Sequence, residues 1–399
     1  MARHYTNPSI NLAVPVVTLA YLLGGAAAAT DPPGRWTTGA NSDMVAQLQA
    51  MGYLDGVTPA MERSGVTVHT DAAIDGLNLY TSGHAAEATL MDMDGRVLHR
   101  WQMDYADAFG PDARDNVNST WWRRVHLLPD GSLLAIYDGL GLVKIDRDSE
   151  LVWVHAQQDH HDLQVLDDGS IVVLTRKVRE YDPDWMVDDH VTWLSAEGTM
   201  LREASVLTSV ISSAPALASG VSLSPDVLHT NTVRVLDGSS SHPAFGAGNV
   251  LVSIRELSII AVLNPDDERL TWALGGDFHR QHDSQMVAPD TLLLFDNGVE
   301  SGRSRIVELD VRSGEESWVY DGGTDAPFFS ETCGAVQRLD GGNTLVTVTD
   351  AGYAFEITRQ GEIVWEFVSP HRAESNPALV ATLQEVERIP RDFVQWLHE

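Results

Sequence analysis

The chain reads as an all-β, six-bladed propeller. Three observations predict it: a unit of four short apolar strands recurs six times between Gly76 and Phe367, a tryptophan returns near the end of each unit, and tight Asp- and Gly-rich turns join the strands. Trp101, Trp153, Trp193, Trp272, Trp318 and Trp365 are spaced by about 40 to 80 residues, most of them near the roughly 40 to 50 residue period of propeller blades. Units that cannot bury an apolar face alone stack into a closed ring with only short edges left open. The turns "MDG", "PDG", "DDG", "DGGN" and "RQG" supply the residues that tight hairpins demand. A tryptophan at a repeated position packs blade on blade, and no chemistry is assigned to it.

The elements follow in order. After Arg3 and His4 no charge appears until Asp31, and "INLAVPVVTLAYLLGGAAAAT" runs from an apolar centre to small residues. Residues 1–30 are therefore expected to act as a secretory signal, or as an uncleaved membrane anchor through residues 10–29. Either route puts the rest outside the cytoplasm, periplasmic or extracellular. Residues 31–75 read as a connector or cap with one short helix, Met44 to Met51, stopped by "GYLDG". Residues 76–368 form the propeller, with one wide repeat where "SSAPALASG" is inserted. Residues 369–399 read as a helical tail, its helix running from about Pro377 to Arg388 and stopping near Pro390.

Composition narrows the function classes. The 26 Lys and Arg against 57 Asp and Glu in 399 residues give a formal charge of −31, which repels nucleic acid. One cysteine, Cys333, allows no intrachain disulfide and no cysteine-built metal site. The "NST" sequon at Asn118 and His242 in the loop "DGSSSHPAFGAGN" are given no role. No cofactor is expected, and oligomeric state is not legible.

The first strand of each blade lines the central channel, so residues at its start converge on one mouth. His160 and His161 open the third unit, in "DHHDLQVL". His229 and Asn231 open the fourth, in "VLHTNTVRVL", with Arg255 following in "NVLVSIRELSII". His282 and Asp283 open the fifth, in "QHDSQMV". Three consecutive blades thus aim histidine at one space. Two other readings stand beside a catalytic one: a metal site built from His279, His282 and Asp283, hence a metal-dependent hydrolase, and a non-catalytic binding scaffold. The arginine in the same cavity argues against a cation. Strand alternation would turn Asp283 away from the channel.

The blocks "HHDLQVLDDGSIVVL", "LHTNTVRVL", "GNVLVSIRELSIIAVLNP", "LTWALGG", "QHDSQMV", "LLLFDNG" and "GAVQRLDGGNTLVT" resemble those of the bacterial arylsulfate sulfotransferases. The resemblance runs from about Gly76 to Phe367. That family uses phenolic sulfate esters, not a nucleotide sulfate, as donors and folds as a six-bladed propeller. The resemblance implies that His282 is the nucleophile that becomes transiently sulfated. It also implies that His229, Asn231 and Arg255 hold the sulfuryl oxygens, and that one of His160 and His161 assists proton transfer at the phenol. The residue types suit the task. A sulfuryl group in transfer spreads charge over three oxygens, as a phosphoryl group does, and a guanidinium, an imidazole N–H and an amide are good donors to it. A neutral imidazole splits one hard displacement into two.

Overall fold

A computed structural model describes residues 55–110, 120–181, 184–214 and 226–398. The leader at 1–30, the Met44–Met51 helix, Asn118 and most of "SSAPALASG" lie outside the described residues.

Six antiparallel sheets form the six blades. Blades 2 to 5 cover 122–155, 159–205, 230–275 and 282–320, each a four-stranded meander in chain order. The first strands of neighbouring blades touch around the ring, which makes them the innermost. Blade 6, 335–368, carries a fifth strand, Gly65–His69, on its outer edge against Ile363–Val368. Blade 1 has only three strands in 77–102; its innermost strand is Leu383–Ile389, antiparallel to Leu77–Ser82.

That last pairing corrects the expected helix over Pro377–Arg388. Leu383, Val386 and Ile389 are spaced as on a helix, but a short apolar segment is ambiguous between helix and strand. Ring closure decides it, because an unpaired first blade would leave a row of buried backbone donors and acceptors without partners. The propeller therefore extends past 368 and also takes in Gly65–His69 from the segment read as connector. Helix in the tail is confined to a 3₁₀ stretch, Arg391–His398.

The core is a ring of six apolar clusters, one at each blade seam. The repeated tryptophans tie the seams. The indole N–H of Trp101 donates to the Gly131 carbonyl at 2.9 Å, Trp365 to Met93 at 2.9 Å, Trp153 to Ala196 at 3.2 Å and Trp318 to Arg359 at 3.2 Å, each reaching a turn of the next blade. Gly131 needs its φ of +85° in that turn, and a Cβ there would meet Trp396 at 2.9 Å. Trp396, brought by the 3₁₀ stretch, stands edge-on to Trp101 at 5.7 Å and caps the seam between blades 1 and 2. Among the described residues no helix is long and apolar enough to cross a membrane, and residues 10–29 lie outside them.

Candidate active site

The innermost strands of blades 2 to 5 share an irregularity at the mouth. Pairing with the second strand skips Arg123 in blade 2, His161 and Asp162 in blade 3, Asn231 in blade 4, and Asp283 and Ser284 in blade 5. His161, His229 and Asp283 have φ of 54°, 49° and 47°. A non-glycine residue there costs about 1 kcal/mol or more, so three such residues at one mouth are held by the surrounding ring. A bulge re-aims side chains that alternation would separate. Consecutive residues in these strands therefore both face the axis, in two layers.

The outer layer holds the histidines. His282 is 2 % exposed. Its Nδ1 meets the Oδ1 of Asn297 at 2.7 Å, while the Nδ2 of Asn297 donates to the carbonyls of Ser330 and Cys333 at 2.9 and 2.7 Å. Those two carbonyls fix which way the amide faces, so its oxygen accepts from His282. The ring proton then sits on Nδ1 and the lone pair on Nε2. Burial, reinforced by the charges of Arg255 and Arg123, holds the imidazole well below its ordinary pKa, so it stays neutral. Asn231 stands one step behind: its Nδ2 donates to the carbonyl of Gln281 at 2.9 Å and steadies the strand that carries His282.

His229 faces this ring from blade 4. Its Nδ1 lies 2.6 Å from the Oδ2 of Asp226, whose Oδ1 accepts the backbone N–H of His229 at 3.1 Å. Burial alone would raise the Asp226 carboxyl, but His229 and Arg176 hold it well below its usual value. The ring of His161 stands edge-on to that of His229 at 4.8 Å. The Nδ1 atoms of His160 and His161 approach to 2.8 Å. Burial depresses both rings strongly, aided by the charges of Arg176 and His229. Arg255 follows the second strand of blade 4; its backbone N–H reaches the His229 carbonyl at 3.4 Å and its guanidinium pairs with Glu256.

The inner layer is a knot of charge. Arg124 of blade 2 reaches Asp162 at 3.2 Å, Asp283 at 3.0 Å and Glu385, which belong to blades 3, 5 and 1. Arg234 of blade 4 pairs with Asp162 and, at 3.2 Å, with Asp283. The second oxygen of Asp283 accepts the backbone N–H of Val336 in blade 6 at 2.8 Å. Asp283 thus points into the axis, against the expectation from strand alternation, because the bulge suspends that alternation. It does not orient His282; Asn297 does.

The structure gathers His160, His161, His229, Arg255 and His282 about one space. It does not assemble His279, His282 and Asp283: His279 is half-buried and faces Glu300 at 3.8 Å, while the other two are engaged as above. Among the described residues the grouping with ligand-like spacing is His84, Glu87 and His371, none of them a member of this cluster, with the Arg100 guanidinium 3.8 Å from Glu87. Sequence reasoning missed Arg123, Asn297, Asp226 and Arg176. Asn297 sits in the "DNG" that closes an apolar run, Asp226 three residues before His229, and Arg123 in a tandem arginine pair at the start of the second unit.

Residues 124–370, more than half of the chain, match the family described as Arylsulfotransferase (ASST). No curated protein matches the chain. A solved protein of unknown function from Bacteroides caccae superposes with a TM-score of 0.52 at 13% identity, over 74% of this chain and 94% of its own. A virginiamycin B lyase from Staphylococcus aureus gives 0.38 at 12%, over 62% and 69%. A streptogramin B lyase gives 0.45 at 12%, over 84% and 97%. At 13% identity the likeness to the Bacteroides caccae protein is one of fold alone.

Proposed function

The chain belongs to the arylsulfotransferase family, and from that premise we propose that it moves a sulfuryl group from an aryl sulfate ester to a phenolic acceptor through a sulfohistidine at His282. The observation that carries this reading is the His282 ring itself: locked at Nδ1 by an amide that cannot turn, kept neutral, and flanked by the charges of Arg255 and Arg123. Nε2 attacks the sulfur, the bond from sulfur to the aryl oxygen breaks and a phenolate leaves, to take its proton from water. The acceptor oxygen then attacks the same sulfur, the N–S bond breaks and the neutral imidazole returns. Charge that spreads over the sulfuryl oxygens during each step meets preorganised cationic donors in a water-poor site. Asn231 supports the reaction by holding the Gln281 carbonyl beside the nucleophile.

Arg124 ties Asp162, Asp283 and Glu385 of three blades together beneath the histidines, and a covalent sulfohistidine lets donor and acceptor react in turn, with ping-pong kinetics. We assign the propeller to the outside of the cytoplasm on the apolar segment at 10–29, either as a removed leader or as an anchor. The test is incubation with 4-nitrophenyl sulfate, with and without a second phenol. The donor alone should leave one SO₃ on the peptide containing His282, phenol should accelerate nitrophenol release, and His282→Asn should abolish both. Intact cells should turn over the same anionic donor without being permeabilised. An adduct on another histidine, or wild-type release from the Asn variant, would overturn the assignment.

A further inference from the structure

We propose that His84, Glu87 and His371 form a site for one divalent cation of the zinc class, and that this cation clasps blade 1 to the segment that closes the ring. The inference stands apart from the sulfuryl-transfer reading and does not depend on it.

The two ends of the propeller build the site together. His84 stands in the turn after Leu77–Ser82, and Glu87 opens the next strand of blade 1, Glu87–Met91. His371 follows the outer strand of blade 6, which ends at Val368, and lies in a small hairpin that leads to Leu383–Ile389. Its carbonyl accepts the N–H of Ala381 at 3.1 Å, and Arg372 and Val380 pair as an isolated antiparallel bridge. The N–H of Gly83 donates to the Thr382 carbonyl at 2.8 Å, and a Cβ on Gly83 would collide with the Oγ1 of Thr382. Glycine therefore lets the turn press against the closing hairpin. In a meander, the turn from second to third strand lies where the innermost strands begin, so the site opens on the face that carries His160, His229 and His282.

The donor set suits a transition cation. Two imidazoles and a carboxylate fit zinc, whereas calcium and magnesium take oxygen ligands. One ligand atom from each of the three residues lies within 4.8 Å of the other two. Atoms bonded to a tetrahedral zinc stand roughly 3.4 Å apart, so the side chains would draw in by about an ångström. The Nε2 of His84 is 3.9 Å from the Oε1 of Glu87, too far for a hydrogen bond. Its Nδ1 is buried and has no hydrogen-bond partner among the described residues, a costly state for a polar atom that serves only structure. The rings of His84 and His371 lie face to face, with centroids 3.5 Å apart and planes 10° from parallel. Burial holds both below the ordinary imidazole value, His371 at about 4, so both are neutral, the form that a metal binds. The Tyr80 hydroxyl, 3.1 Å from the Nε2 of His371, steadies that ring.

Arg100 opposes a cation here, but weakly. Its guanidinium is half-exposed and 3.8 Å from Glu87, so it can swing into water and return to balance the carboxylate when no cation is bound. The formal charge of −31 over the whole chain draws cations toward the surface. Ring closure gives the cation its effect. Blade 1 is completed by a strand from the far end of the chain, and a clip that closes a long loop gains most from the entropy it removes from the unfolded chain.

The test is a zinc titration of the untagged full chain after treatment with EDTA, read by calorimetry and by melting temperature. The wild-type protein should take up one equivalent and melt higher with zinc in excess, because a ligand that binds the folded state alone stabilises it. Magnesium and calcium should do neither. His84→Ala and His371→Gln should each weaken the equivalent by more than the roughly 10- to 100-fold that loss of an outer partner of a metal ligand costs. Arg100→Gln changes a half-exposed side chain and should bind zinc more tightly, which tests the site even if a histidine variant fails to fold. Binding should persist in His279→Ala and in His282→Asn. The proposal is overturned if the wild-type protein takes up no zinc, if the equivalent survives unchanged in His84→Ala and His371→Gln, or if Arg100→Gln binds no tighter than the parent. Loss of the equivalent in His279→Ala or His282→Asn would place the cation elsewhere and overturn it too.

Discussion

Arg123 and Arg124 are neighbours on the innermost strand of blade 2, yet they belong to different layers. The charge of Arg123 acts on His282 and His161 at the mouth, whereas Arg124 is bound among carboxylates of blades 1, 3 and 5. The same split recurs between His161 and Asp162 and between His282 and Asp283. In the outer layer the rings of His160, His161 and His282 are kept neutral by burial and by nearby guanidinium groups, an environment suited to an anion. In the inner layer the two arginines are spent on internal carboxylates. One bulge per strand therefore yields a reactive residue and, next to it, the anchor that holds the reactive residue still.

The contrast is broken most severely from below. Arg124→Met would leave Asp162, Asp283 and Glu385 facing one another with Arg234 alone to balance them. Removing one partner from a buried ionic group costs about 3–5 kcal/mol, because uncompensated charge stays buried. A lower denaturation midpoint by that amount in urea or guanidinium is expected. A variant as stable as the parent would mean that the knot is no anchor.

From above the expected effect is kinetic. Arg255→Ala removes a donor whose contribution grows as charge develops on the sulfuryl oxygens, so turnover should fall roughly 10²- to 10³-fold, about 2.7–4 kcal/mol in barrier. Its melting temperature should stay near that of the parent, since among the described residues the guanidinium pairs with the partly exposed Glu256. If Arg255→Ala loses as much stability as Arg124→Met, the two layers are not functionally distinct.

Much of this was legible in the sequence, for identifiable reasons. The blades were readable because each is local: strand, tight turn and tryptophan recur within one unit. His160, His161, His229, Arg255 and His282 were readable because each sits at or beside a strand start, where the period aims it at the axis. What escaped depends on contacts far apart in the chain. Leu383–Ile389 is a strand only because blade 1 lacks one some 300 residues earlier. Asn297 orients His282 only because the carbonyls of Ser330 and Cys333 fix its amide. Asp283 was expected to face away because alternation holds for regular strands, and nothing in "QHDSQ" announces a bulge. Asp226 lies near His229 in sequence, but "SPDVLH" reads as a turn until the ring is seen to meet the carboxylate.

The smallest effect concerns the edge of the inner layer and gives it a pH signature. Glu387 lies two residues beyond Glu385 on the closing strand, and burial together with the Glu385 charge pushes its carboxyl up to about 8. A carboxyl raised in the folded state binds a proton there that the unfolded chain releases. Its contribution to stability is complete below the unfolded value near 4.5 and is lost as pH rises through about 8. Glu387→Gln keeps the shape and removes the titration. The variant should match the parent near pH 4 and exceed it increasingly toward pH 9, read as the difference in melting temperature across that range. Coincident curves for the two proteins at all pH values would mean that Glu387 is solvated at the rim and takes no part in the knot.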